Sequence, residues 1–325
     1  MEANIRPETF ESVSAFRQGA GKAFRWDCFF VLPGWLKAWW DVFGSSHGPM
    51  LFSVWEKEVA VGLAPLMSDG ETVFFIGDPE VCDYLDFVIR PGSEAAFFHG
   101  LLDHLAGEGL KRLDLRSLHP ESAVLRLLVP LARDRGHEVT VEPDGLTLGL
   151  DLPSSWETYL DSLNGKQRHE VRRKLRRLEE AAEVRYCVVD RPDETEGLLD
   201  AFFQLFRISR SDKEAFLTER MTAFFQGLVR AMAREGLLRL GLLYLDNALA
   251  AATLSFDYNG QVLLYNNGFD PVYERLSVGL LSKVYGLRHS IEQGRCRYDF
   301  LKGNEIYKYR LGGQEVPLHR CRITL

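Results

Sequence analysis

The stretch YDFLKGNEIYKYRLGG, residues 298–313, gathers aromatic, cationic and turn-forming residues within a few positions of one another in a chain of 325 residues. YDFL alternates like a strand, KGNE turns, and YKYR resumes the alternation before Gly312-Gly313. On that reading Lys302 and Glu305 lie in the turn, Lys308 and Arg310 share one strand face, and Tyr307 and Tyr309 take the other. Cations so placed suit a phosphate or carboxylate; the simpler account is an edge strand kept from aggregating by its charge.

A second stretch, LNGKQRHEVRRKLRRLEE (163–180), carries seven Lys or Arg against one acid, Glu170, between residues 164 and 177. Arg168, Arg172 and Arg176 fall four apart on one helical face, with Arg173 and Arg177 in an adjacent row. Like charges at this spacing cost a few tenths of a kcal/mol. Either a solvated face tolerates that cost or a phosphate-bearing ligand offsets it.

In a third stretch, NNGFDPVYERLSVGLLSK (266–283), a strand ends in a Gly/Asp/Pro turn and a helix begins at Ser277. Ser277 is a suitable N-cap, and the first-turn amides of Val278 and Gly279, with Arg275 beside them, could hold an anion where Gly279 permits close approach. An ordinarily capped helix is the plainer alternative.

Composition sets the frame for these segments. The chain is 46% hydrophobic and 26% charged, long enough for two domains or one large one. Its longest apolar runs, AFFHGLLDHLAG (96–107) and GLLRLGLLYL (236–245), fall well short of the roughly 20 residues of a membrane span. The N-terminus lacks the pattern of a signal peptide, so a cytoplasmic location is expected. Five scattered cysteines without a C-x-x-C pair, and histidines without ligand spacing, predict free thiols and no metal. Residues 1–150 hold 13 Lys and Arg against 22 Asp and Glu, whereas 151–325 hold 26 against 24. An anionic ligand therefore belongs with the second half. No G-x-S-x-G elbow and no Walker A sequence occurs, which argues against nucleophilic hydrolases and nucleotide hydrolases.

The elements that must position these residues read as two similar series. In the first half, LPGWLKAWWDVFG (32–44) spaces Trp35, Trp39, Trp40 and Phe43 as a core-packing helix, followed by a hairpin over MLFSVWEKEVAVGLAPLM. A helix near 94–107, a strand at 112–118, a helix near 121–135 and strands around 137–152 complete it. The second half predicts one helix from about Ser155 to Ala182, a strand, and helices near 193–209 and 218–235. A three-stranded meander over 237–270 turns at Asp246-Asn247 and Asn259-Gly260, and a helix over 277–293 and two final strands follow. The shared order predicts a duplicated α/β unit with a boundary near residue 150, giving domains 1–150 and 151–325.

With those segments identified, the chain resembles the bacterial FemAB-like and CelD (BcsL)-like acyltransferases, which carry a BioF2-like acetyltransferase domain of the GNAT superfamily. The resemblance runs from LPGWLKAWWDVFG through LNGKQRHEVRRKLRRLEE to NNGFDPVYERLSVGLLSKVYGLRHSIEQG and YDFLKGNEIYKYRLGG. Its most specific element is the last, where Asp299-Phe300, Gly303, Glu305 and Tyr307-Lys308 match the family's Asp-Phe pair, Gly-x-Glu turn and Tyr-Lys. The GNAT pyrophosphate loop, Gln/Arg-x-x-Gly-x-Gly/Ala, is represented by Arg275-Leu276-Ser277-Val278-Gly279-Leu280, with the glycine displaced.

The resemblance implies two tandem GNAT-like units, each a mixed twisted sheet flanked by helices, the first structural or acceptor-binding and the second transferring the acyl group. It implies an N-acyltransferase moving an acyl group from acyl-CoA or acetyl-CoA onto an amine of a cell-envelope or polysaccharide-related acceptor. In the Fem branch the donor would be aminoacyl-tRNA, and a third alternative is a non-catalytic binding module. Lys308, Glu305, Asp299 and Tyr307 are the candidate catalytic residues: Glu305 or Asp299 as general base, Tyr307 as the acid for the leaving group, Lys308 on a substrate anion. Arg275, Ser277, Val278 and Gly279 would hold the donor, and Lys302, Arg310, Arg168 and Arg172 the substrate.

Overall fold

The computed structural model describes residues 3–20, 23–209 and 215–325. Backbone contacts divide the chain into two compact α/β units, Met1–Leu146 with Val316–Leu325, and Thr147–Glu315. Each is a mixed sheet flanked by helices.

The first unit contains β1 (Ala3–Pro7), α1 (Phe10–Ala20), α2 (Pro33–Phe43), β2 (Gly48–Glu56), β3 (Val59–Ser68), β4 (Thr72–Phe75), β5 (Val88–Ile89), α3 (Glu94–Gly107), β6 (Arg112–Leu118) and α4 (Val129–Asp134). Its sheet order is β1-β2-β3-β4-β6-β13, where β13 (Gln314–Thr324) returns from the far end of the sequence, and β5 pairs β3. β13 runs antiparallel to β6, from His319 opposite Leu118 to Thr324 opposite Arg112. Trp35 and Trp39 are buried, and Phe30 meets Trp35 edge-on at 4.7 Å, so the aromatic helix is core. On β3, Gly62 leaves room for the Phe97 ring of α3, which a Cβ would meet at 2.2 Å.

The second unit begins within β7 (Val139–Asp151) and continues with α5 (Trp156–Ser162), α6 (Gly165–Ala181), β8 (Val184–Val189), α7 (Pro192–Ser209), α8 (Glu219–Arg234), β9 (Leu238–Leu245), β10 (Ala248–Tyr258), β11 (Gln261–Phe269), α9 (Val278–Glu292), β12 (Arg297–Lys302) and α10 (Ile306–Arg310). Its sheet order is β7-β12-β11-β10-β9-β8. The meander turns as predicted: Asp246 and Asn247 have φ of 48° and 69°, and Asn259 and Gly260 50° and 76°, the doubly positive pattern of type I′ hairpins.

Two predicted elements differ. The single helix over 155–182 is two, because Leu163 and Asn164 are extended and Asn164 starts a new helix with a capping box: its side chain accepts from Gln167 N while Gln167 returns a bond to the Asn164 amide. YKYR is the short helix α10 instead of a strand. Gly303 (φ 108°) and Gly312 (φ 88°) bracket it with left-handed turns, and alternation over four residues does not separate one helical turn from a strand.

Candidate active site

The parallel pair β11 and β12 is in register only at Gln261–Arg297, Val262–Tyr298 and Leu263–Asp299. β11 continues to Phe269 and β12 to Lys302, so the strands part beyond Leu263 and Asp299. Two irregularities accompany the parting. On β11 the pairing with β10 jumps from Leu264 to Asn266, leaving Tyr265 out of register; on β12 the pairing with β7 shifts between Asp299 and Lys302.

Beyond the parted ends lies a cavity of about 270 Å³. Its walls are Asn267 and Phe269 from β11, Glu274 from the turn before α9, Ser277 to Leu280 and Lys283 from the head of α9, and Glu305 and Tyr307 from the turn and α10.

Ser277 stands at the head of α9 in left-handed conformation (φ 61°, ψ 32°), and its side chain does not cap the helix. Its carbonyl accepts from Leu280 N at 3.0 Å and Leu281 N at 2.9 Å, while its hydroxyl takes Lys174 Nζ at 2.7 Å and Arg177 at 3.3 Å. Arg177 also bonds the Arg275 carbonyl, and its buried Nε makes no hydrogen bond. The first-turn amides of Val278 and Gly279 have no carbonyl one turn back within the helix. Helix terminus, Lys174 and an unsatisfied guanidinium nitrogen thus meet around one hydroxyl, an arrangement that fits a phosphate. Lys174 and Arg177 are therefore not part of a solvated face. Gly279 has a different role from the expected one: a Cβ there would lie 2.8 Å from the Phe269 ring, so the missing side chain is filled by protein.

Lys283 and Asn267 went unnoticed in the sequence. Lys283 is only 4% exposed; its ammonium donates to Asn267 Oδ1 at 3.0 Å and to the Gly279 carbonyl, and lies 4.7 Å from the centre of the Tyr307 ring. A lysine placed among Leu281, Val284 and Leu287, all buried on α9, was the available signal. Burial, then the Glu305 carboxylate, pushes the Tyr307 phenol well above its ordinary pKa, so the hydroxyl keeps its proton.

Lys308 is 2% exposed. Its ammonium donates to the carbonyls of Leu301 (3.0 Å), Lys302 (2.6 Å) and Gly303 (3.2 Å) and pairs with Glu305 at 2.9 Å. These partners use all three donors of an ammonium, so Lys308 holds the turn, and its link to the cavity runs through Glu305. Asp299 is likewise buried and engaged: Oδ1 accepts from Leu301 N at 2.8 Å and Thr147 Oγ1 at 3.2 Å, bracing the left-handed Leu301 (φ 59°). It does not line the cavity.

Of the other predicted residues, Arg275 is exposed in the turn before α9 and contributes its carbonyl, Arg168 pairs with Asp161 at 3.0 Å, and Arg172 is exposed. Lys302 offers its carbonyl to Lys308. Arg310 faces a separate cavity beside α6. The structure therefore gathers Ser277, Val278, Gly279, Glu305 and Tyr307, with Lys308 behind Glu305.

Residues 165–309 match the family described as the acetyltransferase (GNAT) domain. The second unit is thus an acyltransferase domain of the GNAT class, and the resemblance to GNAT-type acyltransferases holds. Among solved structures the chain is similar to FemX, with 12% identity over 98% of this chain and 96% of that one and a TM-score of 0.64. It is similar to a conserved protein of unknown function from Bacteroides thetaiotaomicron, at 13% identity over 99% of both chains and a TM-score of 0.61. A third neighbour is the C-terminal domain of a putative lysylphosphatidylglycerol synthetase from Agrobacterium fabrum, at 12% identity over 85% of this chain and 83% of that one, TM-score 0.56. At such identities the likeness is one of fold. No curated protein matches the chain in sequence. Among the described residues no helix is long and apolar enough to cross a membrane.

Proposed function

We propose that the second unit transfers an acyl group from acyl-CoA to an amine of a cell-envelope or polysaccharide-related acceptor by direct attack in the cavity between Asn267, Lys283, Glu305 and Tyr307. The observation that carries this reading is the placement of a protonated phenol and a carboxylate two residues apart at the parted strands, opposite the anion-suited head of α9.

The donor phosphate would rest on the amides of Val278 and Gly279, with Lys174 and Arg177 beside Ser277. Glu305 accepts a proton from the acceptor amine, whose nitrogen forms the new bond to the thioester carbonyl carbon. The carbon–sulfur bond breaks, and Tyr307 gives its proton to the departing thiolate. Proton return from Glu305 to Tyr307 through solvent restores both groups, so the products are amide and free thiol. Lys283 holds Asn267 and the start of α9 in place and sets a positive charge against the Tyr307 ring, where it eases transient phenolate character. Lys308 positions Glu305, and Asp299 braces the turn.

Thermal unfolding of the full chain with acetyl-CoA tests the donor: ligand at 100 times its dissociation constant adds about 2.7 kcal/mol, a shift of several degrees. An unchanged midpoint removes acyl-CoA. A second reading, transfer from aminoacyl-tRNA, is favoured by exposed Arg172 and Arg176 on α6. It predicts tRNA binding that weakens steeply between about 50 and 200 mM salt.

A further inference from the structure

A second cavity in the same unit, about 620 Å³, lies beside α6; of the residues given a role above, Lys174 alone reaches its lining. Its apolar surface comes from Val171, Leu280 and Leu311, and Lys166, His169 and Arg310 also line it. Among the described residues those three basic side chains are exposed and make no hydrogen bond or ion pair. Glu170, the acid in the lining, is already taken: Arg173 donates to both its oxygens at 2.9 Å, and Lys174 stands at 3.4 Å. The cavity therefore keeps an uncompensated positive charge over an apolar wall.

Its position matters as much as its charge. Leu280 lines both cavities, and α10 carries Tyr307 to the first and Arg310 to the second. Leu280 is the residue the two linings share, so a molecule seated beside α6 touches the same side chain as one at the splayed strands. The capping box at Asn164 and Gln167 fixes the mouth, since the Gln167 amide group also donates to the Tyr309 carbonyl at 2.9 Å and ties α6 to α10.

We infer that this cavity seats the acceptor through an anionic group, a phosphate or carboxylate, borne on an apolar body. The anion meets Lys166, His169 and Arg310, the body packs on Val171, Leu280 and Leu311, and the amine extends past Leu280 toward Glu305. The volume is within the usual range for a small-molecule site, roughly 300 to 1,000 Å³. The inference rests on the acyl-transfer reading for its direction, but not for the binding itself.

The test uses the full chain with octyl phosphate as probe, measured by calorimetry beside inorganic phosphate, n-octanol and acetyl-CoA. Octyl phosphate is expected to bind at least tenfold more tightly than inorganic phosphate or n-octanol. The double variant Lys166→Ala/Arg310→Ala, which removes two exposed side chains, should weaken it at least tenfold and leave acetyl-CoA affinity within twofold. Equal binding of octyl phosphate and inorganic phosphate, or an undiminished affinity in the double variant, overturns the proposal. So does competition between octyl phosphate and acetyl-CoA with both weakened by the variant, because the cavity would then belong to the donor. If octyl phosphate binds as expected and acetyl-CoA does not bind at all, this site stands and acyl-CoA falls as donor.

Discussion

The ammonium of Lys308 lies 2.9 Å from the Glu305 carboxylate, three residues earlier in the chain, while the backbone carbonyls of residues 301 to 303 surround its other side. A cation buried in this way organises the chain that wraps it. Glu305 keeps about half its side-chain surface open, so one end of the pair belongs to the protein interior and the other to the cavity.

Lys308→Met should therefore act on stability first. It strips three carbonyls and a carboxylate of their donor, a loss of about 3 kcal/mol by analogy with breaking a buried ion pair. Lys308→Arg should recover little, because a planar guanidinium does not fit a ring of acceptors converging on one point. Denaturant unfolding of both variants checks this; a Met variant as stable as the parent would mean the turn holds without its lysine.

Tyr307→Phe should lower kcat by about 10² to 10⁴ while KM stays nearly constant, the range for losing a general acid. Steady-state kinetics with acetyl-CoA and an amine acceptor is the measurement. A proportional rise in KM would instead place the phenol in ground-state binding.

Alkaline pH should unfold the protein cooperatively. Burial raises the phenols of Tyr159, Tyr186, Tyr298 and Tyr307 well above 10 and pushes Tyr285 up to about 12. The folded pKa exceeds the unfolded one in each case, so above pH 10 the unfolded chain has lost protons that the folded chain keeps. The stability linked to these groups is complete below pH 10 and is lost as pH rises through the folded values. Tyrosinate absorbance should accordingly appear in step with loss of circular dichroism; smooth titration of all tyrosines near pH 10 in folded protein would contradict it.

Gly279→Ala should destabilise by about 1 to 3 kcal/mol, the cost of overpacking, because its methyl group would enter the Phe269 ring. Phe269→Leu should relieve much of that cost, so the double variant should be more stable than the sum of the two single changes. Additive losses would indicate that the ring is not the obstacle.

The fold was legible wherever local chemistry is decisive. Asn259-Gly260 and Asp246-Asn247 can satisfy two successive positive φ angles, and the meander follows from them. Asn164 was equally legible as a cap, but helix-forming residues on either side of it masked the break between α5 and α6. At the site, Ser277 to Gly279 could be picked out because turn and helix signals converge on them, whereas Glu305 and Tyr307 stood out only through the family resemblance of the last stretch. The fates of Lys308, Asp299 and Gly279 could not, since burial and the Phe269 ring arise only when distant segments meet. Lys283 was marked by its place among Leu281, Val284 and Leu287, but its partners Asn267 and Tyr307 are brought to it only by the fold.

The return of Val316–Leu325 to the first unit bears on how the protein is made. On the ribosome, β6 is complete some two hundred residues before the strand that pairs with its free edge emerges. At about 5 to 20 residues per second, that edge waits on the order of ten seconds or more, much longer than a hairpin needs to form. The first half thus cannot finish folding during its own translation. A chaperone that shields Arg112–Leu118 over this interval should raise the yield of native protein more than one acting at the N-terminus.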